Sequence, residues 1–448
     1  MTETVTGITV DPGPMTHRRI WKIAGPIVLS NATVPLIGAV DTGVVGQMGL
    51  AAPIGAVGLG AVVLATVYWL FGFLRMGTSG LAAQAHGRGD GAESSAILLR
   101  ALVVAAGAGL ALILLQAPLL WAAFRIAPGS EEVESLATTY LSIRIWGAPA
   151  TIGLYAVTGW LLATERPRGI VAVQLWINGL NMGLDLWFVL GLGWGVPGVA
   201  FASLIAEWSG LALGLWLCRA AFLGPVFAAA RARLADAQAL RLMLDVNRDI
   251  MIRSVVLQLC FTSFMFLGAS HGDVTLAANQ VLLQFLEITA YALDGFAFAA
   301  ETLVGQAVGA RAPRAVRQAT RLALVWGFAG AALLALVFWA AGPAIIDLMT
   351  KAPEVREAAR DYLWWLVAAP LIGSAAWTWD GVFIGATLTR TMRRAMLQCA
   401  AIYLVALVLM LPLGNHGLWA ALMVLNLSRS VLLALHYPEA VAKAGPSG

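Results

Sequence analysis

A carboxylate, Asp41, lies in the middle of the first membrane-length apolar stretch of the chain, between Val34 and Gly46. An ionised aspartate near the centre of a membrane helix costs about 2.5 to 3.5 kcal/mol on insertion scales. Such a residue therefore usually faces a cavity or a partner and marks the path of an ion or a substrate. Asp41 makes transport the first functional hypothesis. The structural alternative is an acid that only packs against serine or asparagine neighbours.

A second polar group surrounds a turn between two later apolar stretches. Asn181 and Asp185 are four residues apart, so they share one face if the segment is helical. At 1.5 Å per residue, Asp185 lies about 12 Å and Ser203 about 8 Å below the outer ends of their spans, near the depth expected for Asp41. Two carboxylates, an amide and a hydroxyl at one depth could bind a sodium ion or share a proton. The structural alternatives are a hydrogen-bonded pair of Asn181 with Asp185 and close helix packing at Ser203.

Further acids lie deeper in the apolar stretches. Glu207 is one helical turn beyond Ser203 and either extends a cation path or pairs with a neighbour. Glu287, Asp294 and Glu301 are seven residues apart, and heptad spacing drifts by only about 20° per step on a straight helix. The spacing predicts one acidic stripe, with Asp294 and Glu287 as candidates for substrate binding or a proton relay. Glu301 is near a helix end, where pairing with a loop is the alternative.

Aromatic side chains at Trp377 and Trp379 flank one more acid, Asp380. An acid beside aromatic rings suits an organic cation, because charge and cation–π attraction act together. Tryptophan is also the usual anchor at the membrane interface, so most of the 17 tryptophans are expected to lie near the lipid headgroups. Asp380 is therefore a further candidate for substrate binding or proton relay.

The composition predicts the elements that carry these residues. Hydrophobic residues make up 60% of the chain and charged residues only 12%, against roughly 25% in soluble domains. Twelve stretches have the roughly 20 mostly apolar residues that cross a bilayer. Their centres are near residues 35, 67, 108, 150, 180, 208, 258, 290, 330, 370, 402 and 427. Because backbone groups in lipid must be satisfied internally, we expect an all-α polytopic membrane protein with twelve transmembrane helices.

Basic residues concentrate in alternate loops, which the positive-inside rule assigns to the cytoplasm. The largest groups precede the first stretch and follow the sixth, eighth and tenth: Arg18, Arg19, Lys22, Arg219, Arg231, Arg233, Arg241, Arg248, Arg311, Arg314, Arg317, Arg321, Arg390, Arg393 and Arg394. This pattern predicts cytoplasmic termini in a multi-pass protein of the plasma or bacterial inner membrane, without a cleaved signal peptide. The net charge of +4 then reflects topology, and nucleic-acid binding is not expected.

The chain repeats itself at an offset of 222 residues. The offset pairs Gln84 with Gln306 and Gly87 with Gly309, inside two segments of similar sequence. Matches at the same offset in a separate span make a chance similarity improbable. The repeat predicts two halves of six spans each.

Two six-helix lobes follow from the repeat, because six spans return the chain to the side on which it began. Both lobes then enter the membrane from one side, which predicts a parallel pseudo-two-fold repeat about an axis along the membrane normal. The predicted lobes are residues 1–220 and 249–448, joined by an Arg-rich cytoplasmic linker at 221–248. Substrate is expected to bind between them.

Three parts of the sequence together resemble the multidrug and toxic compound extrusion family of transporters, and in particular its DinF-like branch. They are residues 34–46 with Asp41, residues 181–200, and residues 293–297 followed by 301–309. The resemblance covers nearly the whole chain. It implies export of amphipathic, often cationic, organic molecules by alternating access, in exchange for inward sodium ions or protons.

The resemblance also implies a cation site at Asp41, Asn181, Asp185 and Ser203. Family members more often carry threonine at the last of these positions, and Ser203 retains the hydroxyl. Cation entry from outside would favour the substrate-free form that returns inward, and cation release inside would reset exchange.

Two other functions remain open from the sequence. A flippase of lipid-linked precursors, from the wider superfamily, would need basic residues for phosphates; the mid-span charges are mostly acidic, although Arg75, Arg144 and Arg429 fit that alternative. A receptor or scaffold that does not transport would need neither paired halves nor buried acids. The sequence contains no Walker loop and no metal-ligand spacing of histidine or cysteine. We therefore expect no enzyme, no cofactor beyond the coupling ion, and no need for more than a monomer.

Overall fold

The computed structural model describes residues 13–31, 43, 44, 46, 51–126 and 129–445. None of these residues lies in a β-strand. Ten helices among them are long and apolar enough to cross a membrane. Each coincides with one of the twelve predicted spans. The protein is therefore a multi-pass, all-helical membrane protein.

The two remaining predicted spans differ from the others for separate reasons. The stretch centred near residue 35, with Asp41, lies largely outside the described residues. The stretch centred near residue 180 is helical over Pro167–Asp185. Four polar residues lower the mean hydropathy of this helix: Gln174, Asn178, Asn181 and Asp185. Polarity at this place is what a binding helix inside a membrane protein would carry.

The helices run in chain order with short connections. The first ten described helices are α1 His17–Asn31, α2 Ala51–Trp69, α3 Phe73–Gly87, α4 Gly91–Leu114, α5 Gln116–Ile126, α6 Glu131–Arg144, α7 Ala148–Ala163, α8 Pro167–Asp185, α9 Gly195–Leu217 and α10 Gly224–Ala232. The remaining helices are α11 Ala237–Ala269, α12 Asp273–Gly309, α13 Pro313–Met349, α14 Pro353–Gly385, α15 Thr389–Met410 and α16 Asn415–Lys443.

Side chains and prolines at the helix starts explain several of these boundaries. Asp90 accepts a hydrogen bond from the backbone N–H of Glu93 at the start of α4, and Ser130 accepts one from Val133 at the start of α6. Proline opens α8, α13 and α14, where its missing N–H costs nothing because the first helical N–H groups have no intrahelical partner.

Contacts divide the chain into two compact units. The N-terminal unit contains Leu29–Ala82 and Asp90–Arg241, and the C-terminal unit contains Met1–Val28, Ala83–Gly89 and Leu242–Gly448. The sequence-derived boundaries at residues 220 and 249 stay a prediction.

The C-terminal unit holds the start of α1 through aromatic and polar contacts. Trp21 packs edge-to-face on Phe296 of α12, with ring centroids 5.4 Å apart. Gln318 of α13 donates a hydrogen bond to the carbonyl of Met15 over 2.8 Å. Residues 13–28 therefore pack with helices far away in the sequence.

The internal repeat extends to the backbone of the tight turns. Left-handed residues end α3 and α12 at Gly89 (φ 72°) and Arg311 (φ 55°), and they end α7 and α14 at Glu165 (φ 54°) and Thr387 (φ 51°). Each pair is separated by the 222-residue offset seen in the sequence. Left-handed residues at helix ends are usually glycine, because other residues meet a Cβ clash there. Three non-glycine residues adopt this conformation at equivalent places, so the turn geometry belongs to the repeat.

The repeat-related glycines of α3 and α12 each lie against the backbone of the other motif inside the C-terminal unit. A Cβ on Gly87 would lie 2.1 Å from the carbonyl oxygen of Gln306, and a Cβ on Gly309 would lie 2.1 Å from that of Gln84. The contact is reciprocal, as expected where two copies of one motif cross. Small residues at such crossings let membrane helices approach closely. The Gln84 side chain also donates to the carbonyl of Gly385 over 2.9 Å, which adds a third helix to the crossing.

We expect Gly87→Ala and Gly309→Ala each to reduce the yield of monodisperse protein and its thermal unfolding midpoint. The added methyl group would overlap backbone atoms, which cannot rotate away, and overpacking typically costs about 1–3 kcal/mol. Gly107→Ala in α4 is the control, because a Cβ there meets nothing within 4 Å. Fluorescence-detected size-exclusion chromatography and a thermal melt measure both quantities. If Gly87→Ala and Gly309→Ala both unfolded at the wild-type temperature, the close approach of the two helices would be contradicted.

Candidate functional site

A change of helical pitch positions the predicted cation ligands in the N-terminal unit. Helix α8 ends at Asp185, and Leu186–Gly191 continues it as a π-helical segment. The N–H of Leu192 bonds to the carbonyl of Trp187, five residues back, over 2.9 Å. Glycines in the left-handed region at positions 193 and 195 then turn the chain into α9. Wide turns of this kind occur frequently at functional sites of helical proteins.

The turn brings polar side chains of α8 and α9 together in the interior. Asn181 donates from Nδ2 to Oγ of Ser203 over 3.2 Å. Their exposed fractions are 2% and 7%, and Asp185 is fully buried at 0%. The hydrogen bond brings together two of the four predicted cation ligands. Asn178, also buried, lies one turn before Asn181 and accepts a hydrogen bond from Gln174 over 2.8 Å.

The arrangement leaves oxygen atoms able to hold a cation or a proton. Among the described residues, nothing donates a hydrogen bond to Oδ1 of Asn181. That oxygen, the Ser203 hydroxyl and the Asp185 carboxylate are hard ligands of the kind that suit sodium, and a buried carboxylate also suits a proton. Asp41, the fourth predicted ligand, lies outside the described residues. The roles of these four residues stay a prediction.

Glu207, one turn further along α9, forms an ion pair with Arg144 of α6. The Nη1 and Oε1 atoms are 2.9 Å apart, and both side chains are mostly buried. A Cβ on Gly147 would lie 2.2 Å from Oε2 of Glu207, so a larger residue there would displace the carboxylate from its present position. Tyr68 of α2 donates to the carbonyl of Arg144 over 3.4 Å. Glu207 thus has the pairing partner that the sequence left open.

Two arginines hold Asp380 in the C-terminal unit. Its Oδ2 atom accepts hydrogen bonds from Nη2 of Arg253 on α11 and from Nη2 of Arg429 on α16, the latter over 2.7 Å. Both arginines are buried, and Arg429 also donates to Oδ1 of Asn426 over 3.2 Å. A small cavity lies beside the three charged groups. An organic cation that used Asp380 would have to compete with both guanidinium groups.

The acids of α12 occupy three different environments. Glu287 is exposed, Asp294 is half-buried, and Glu301 is buried at 1% exposure. Asp294 lies close enough to Arg253 to act on it electrostatically. The acidic stripe therefore runs from the surface into the interior of the C-terminal unit. Binding of substrate or relay of protons by Glu287 and Asp294 stays a prediction.

Sequence reasoning missed most of the cationic partners. Arg253 interrupts an apolar stretch just as the acids do, and that signal could have identified it as the partner of a buried carboxylate. Asp249 and Arg393, which pair between α11 and α15, gave no comparable signal. Among the described residues, no group of three or more histidine, cysteine or acidic side chains could hold a metal ion.

The fold and these buried polar groups are those of a multi-pass transporter built from an internal repeat. A family model described as MatE matches residues 26–187 and again residues 250–414. The chain therefore belongs to the multidrug and toxic compound extrusion (MATE) family. Members of this family are transporters and not enzymes, which confirms that prediction. The double match also agrees with the repeat.

Relatives with curated names extend over most of the chain. The DNA damage-inducible protein F of Escherichia coli strain K12 is 39% identical over 417 residues, which cover 93% of this chain and 91% of that protein. The probable multidrug resistance protein NorM of Pseudomonas aeruginosa is 27% identical over 380 residues, which cover 82% of this chain and 75% of that protein.

Solved structures show the same fold. The Vibrio cholerae MATE transporter VcmN in its bent form matches with a TM-score of 0.83 at 20% identity, over 96% of this chain and 97% of that one. Structural neighbours of this kind have twelve transmembrane helices in two lobes. The predicted all-α, two-lobe fold class is thereby confirmed.

We expect Glu207→Gln to lower the thermal stability of the protein strongly, because it leaves the Arg144 guanidinium buried without its counter-charge. Breaking a buried ion pair costs about 3–5 kcal/mol, whereas replacing both partners by apolar residues is often neutral. The double variant Arg144→Met with Glu207→Leu should therefore be more stable than Glu207→Gln alone. Thermal melts of the purified protein measure this, with Glu132→Gln at an exposed position as the control. Equal midpoints for Glu207→Gln and Glu132→Gln would disprove the stabilising role of the pair.

Proposed function

We propose that the protein is a multidrug efflux antiporter that exports amphipathic, often cationic, organic molecules in exchange for protons or sodium ions. The observation that carries the proposal is the buried group of Asn181, Asp185 and Ser203 in the N-terminal unit. Membership of the MATE family and the similarity to proteins named for multidrug resistance support the substrate class. The coupling ion itself, proton or sodium, belongs to the proposal.

Coupling requires that the two substrates favour different states of the transporter. In our proposal, a cation that enters from outside binds at Asp185 with Asn181, Ser203 and Asp41, and stabilises the form without organic substrate. Its release to the cytoplasm allows the next organic molecule to bind. Each ligand shifts the equilibrium only by its difference in affinity for the two states, and the effect is reciprocal. A carboxylate held out of water is a suitable group, because cation or proton binding changes its net charge in a low-dielectric site.

The acids of the C-terminal unit take a secondary part in this proposal. Asp294, which is half-buried in mid-span, is the first candidate for contact with an organic cation or for proton relay, followed by the exposed Glu287. Asp380 forms ion pairs with Arg253 and Arg429. We therefore propose that these ion pairs change during transport and that Asp380 does not bind substrate throughout the cycle. Glu207 is assigned a similar paired role with Arg144.

The alternative function, flipping of lipid-linked precursors, receives less support from the same contacts. A flippase cavity would offer positive charge to phosphate groups. Arg144 is paired with Glu207, and Arg429 shares the Asp380 carboxylate with Arg253, so carboxylates inside the fold offset part of this positive charge. We therefore keep drug efflux as the proposed function. We further propose location in the bacterial inner membrane with cytoplasmic termini, and action as a monomer.

Efflux of ethidium from proteoliposomes tests the function, driven separately by an inward proton gradient and an inward sodium gradient. We expect flux under one gradient, and at least a tenfold loss in Asp41→Asn and in Asp185→Asn, since neither amide can bind a proton or supply a charge to sodium. Asp361→Asn, at an exposed position of α14, is the matched control and should transport normally. Full efflux by well-inserted Asp41→Asn and Asp185→Asn would disprove the cation site. No wild-type flux under either gradient would favour the flippase.

A further inference from the structure

An open groove of about 590 Å³ lies on the C-terminal unit, between α13, α14 and α16. Sites of roughly 300–1,000 Å³ typically hold a ligand of drug size. None of its described lining residues is an acid, amide or serine assigned above to cation coupling or substrate binding, although Trp379 directly precedes Asp380 in the sequence. Its lining has a basic and an apolar zone along α13 and an aromatic zone on α14 and α16.

The basic zone consists of Arg317 and Arg321, four residues apart on one face of α13. At 1.5 Å per residue, they lie about 6 Å and about 12 Å along the helix from its start at Pro313. Both side chains are exposed. Arg321 makes no hydrogen bond or ion pair with any residue that the structure describes, and none of the described residues that line the groove is acidic. The described lining of the groove therefore contains two arginines and no carboxylate.

The aromatic zone consists of Trp379 of α14 and Tyr437 of α16. Their ring centroids are 5.1 Å apart and their planes are inclined by 48°. Trp379 is largely buried and Tyr437 half-buried, so the rings form a fixed wall opposite the arginines. Tryptophan and tyrosine favour the depth of the lipid headgroups, where an apolar ring meets a polar edge.

The apolar zone continues from the arginines towards the membrane interior. Val325 is 50% exposed and Phe328 is 44% exposed, one and two turns beyond Arg321. Both line the same groove. A ligand held by the arginines would therefore place its next atoms against an apolar surface that is open to lipid.

We propose that this groove binds an anionic phospholipid, with its phosphate between Arg317 and Arg321 and an acyl chain along Val325 and Phe328. Basic pockets between transmembrane helices bind anionic lipid headgroups in other membrane proteins. A small organic anion would gain from the arginines but would not cover the apolar zone, and an organic cation would be repelled. The basic zone and the apolar zone follow each other along α13 as the phosphate and the acyl chains do in a phospholipid. The proposal does not depend on the efflux function.

Native mass spectrometry of the full-length protein tests the proposal, with phosphatidylglycerol or phosphatidylcholine added to the detergent solution. We expect wild-type protein to retain phosphatidylglycerol over phosphatidylcholine. The double variant Arg317→Gln with Arg321→Gln should retain at least fivefold less phosphatidylglycerol. Arg394→Gln, which removes an exposed charge from α15 outside the groove, should retain as much as the wild type. Equal thermal midpoints in phosphatidylcholine will show that all variants are folded.

Three results would overturn the proposal. If the double variant retained as much phosphatidylglycerol as the wild type, the two arginines would have no role in lipid binding. An equal loss in Arg394→Gln would show a general effect of surface charge. Stabilisation of the wild type by inorganic phosphate alone, as great as by phosphatidylglycerol, would indicate a site for free anions.

A photoactivatable phosphatidylglycerol provides a second measurement on wild-type protein, which remains valid if the double variant fails to fold. Adducts on residues 317–328 or on Tyr437 would support the groove as the site. Adducts confined to other helices would overturn it.

Discussion

The structure depends on one constraint above others, that an ionised side chain inside membrane helices must be compensated within the fold. Glu207 meets Arg144 at 2.9 Å, and Asp380 meets Arg253 and Arg429. Burial of each of these charges alone would cost several kcal/mol. Each pair also joins helices that are distant in the sequence. The ionic contacts therefore help to fix which helices are neighbours.

A second constraint is close approach at the crossing of repeated motifs. Gly87 and Gly309 each lie against the backbone of the other motif, and a methyl group on either would overlap it. The 222-residue offset reappears in the left-handed turns at Glu165 and Thr387. The sequence similarity, the turn geometry and the helix crossing thus all follow the same internal repeat. The repeated halves carry different chemistry, because Asn181 and Ser203 are hydrogen-bonded between α8 and α9, whereas Asp380 of α14 accepts from two arginines.

Much of the fold could be predicted because it rests on local composition. Ten spans followed from apolar length, and the repeat followed from matched residues such as Gln84 and Gln306. Asn181 and Ser203 belong to one predicted site, and the structure joins their side chains by a hydrogen bond of 3.2 Å, while their role as cation ligands stays a prediction. The pairing of Asp380 with Arg253 could not be predicted, because 127 residues separate them and charge alone does not identify a partner. The π-helical segment after Asp185 was also missed, since glycines at 191, 193 and 195 indicate a turn but not its pitch.

The central claim is that the buried oxygen groups near Asp185 bind the coupling cation and that this binding opposes the binding of organic substrate. The most direct test is a titration of purified protein with ethidium in weakly buffered solution, at several pH values and with or without sodium. The account predicts that ethidium releases protons, or that sodium weakens ethidium binding, in wild-type protein and in neither Asp185→Asn nor Asp41→Asn. Ethidium binding that is independent of pH and sodium in the wild type, or equally dependent in both variants, would contradict it.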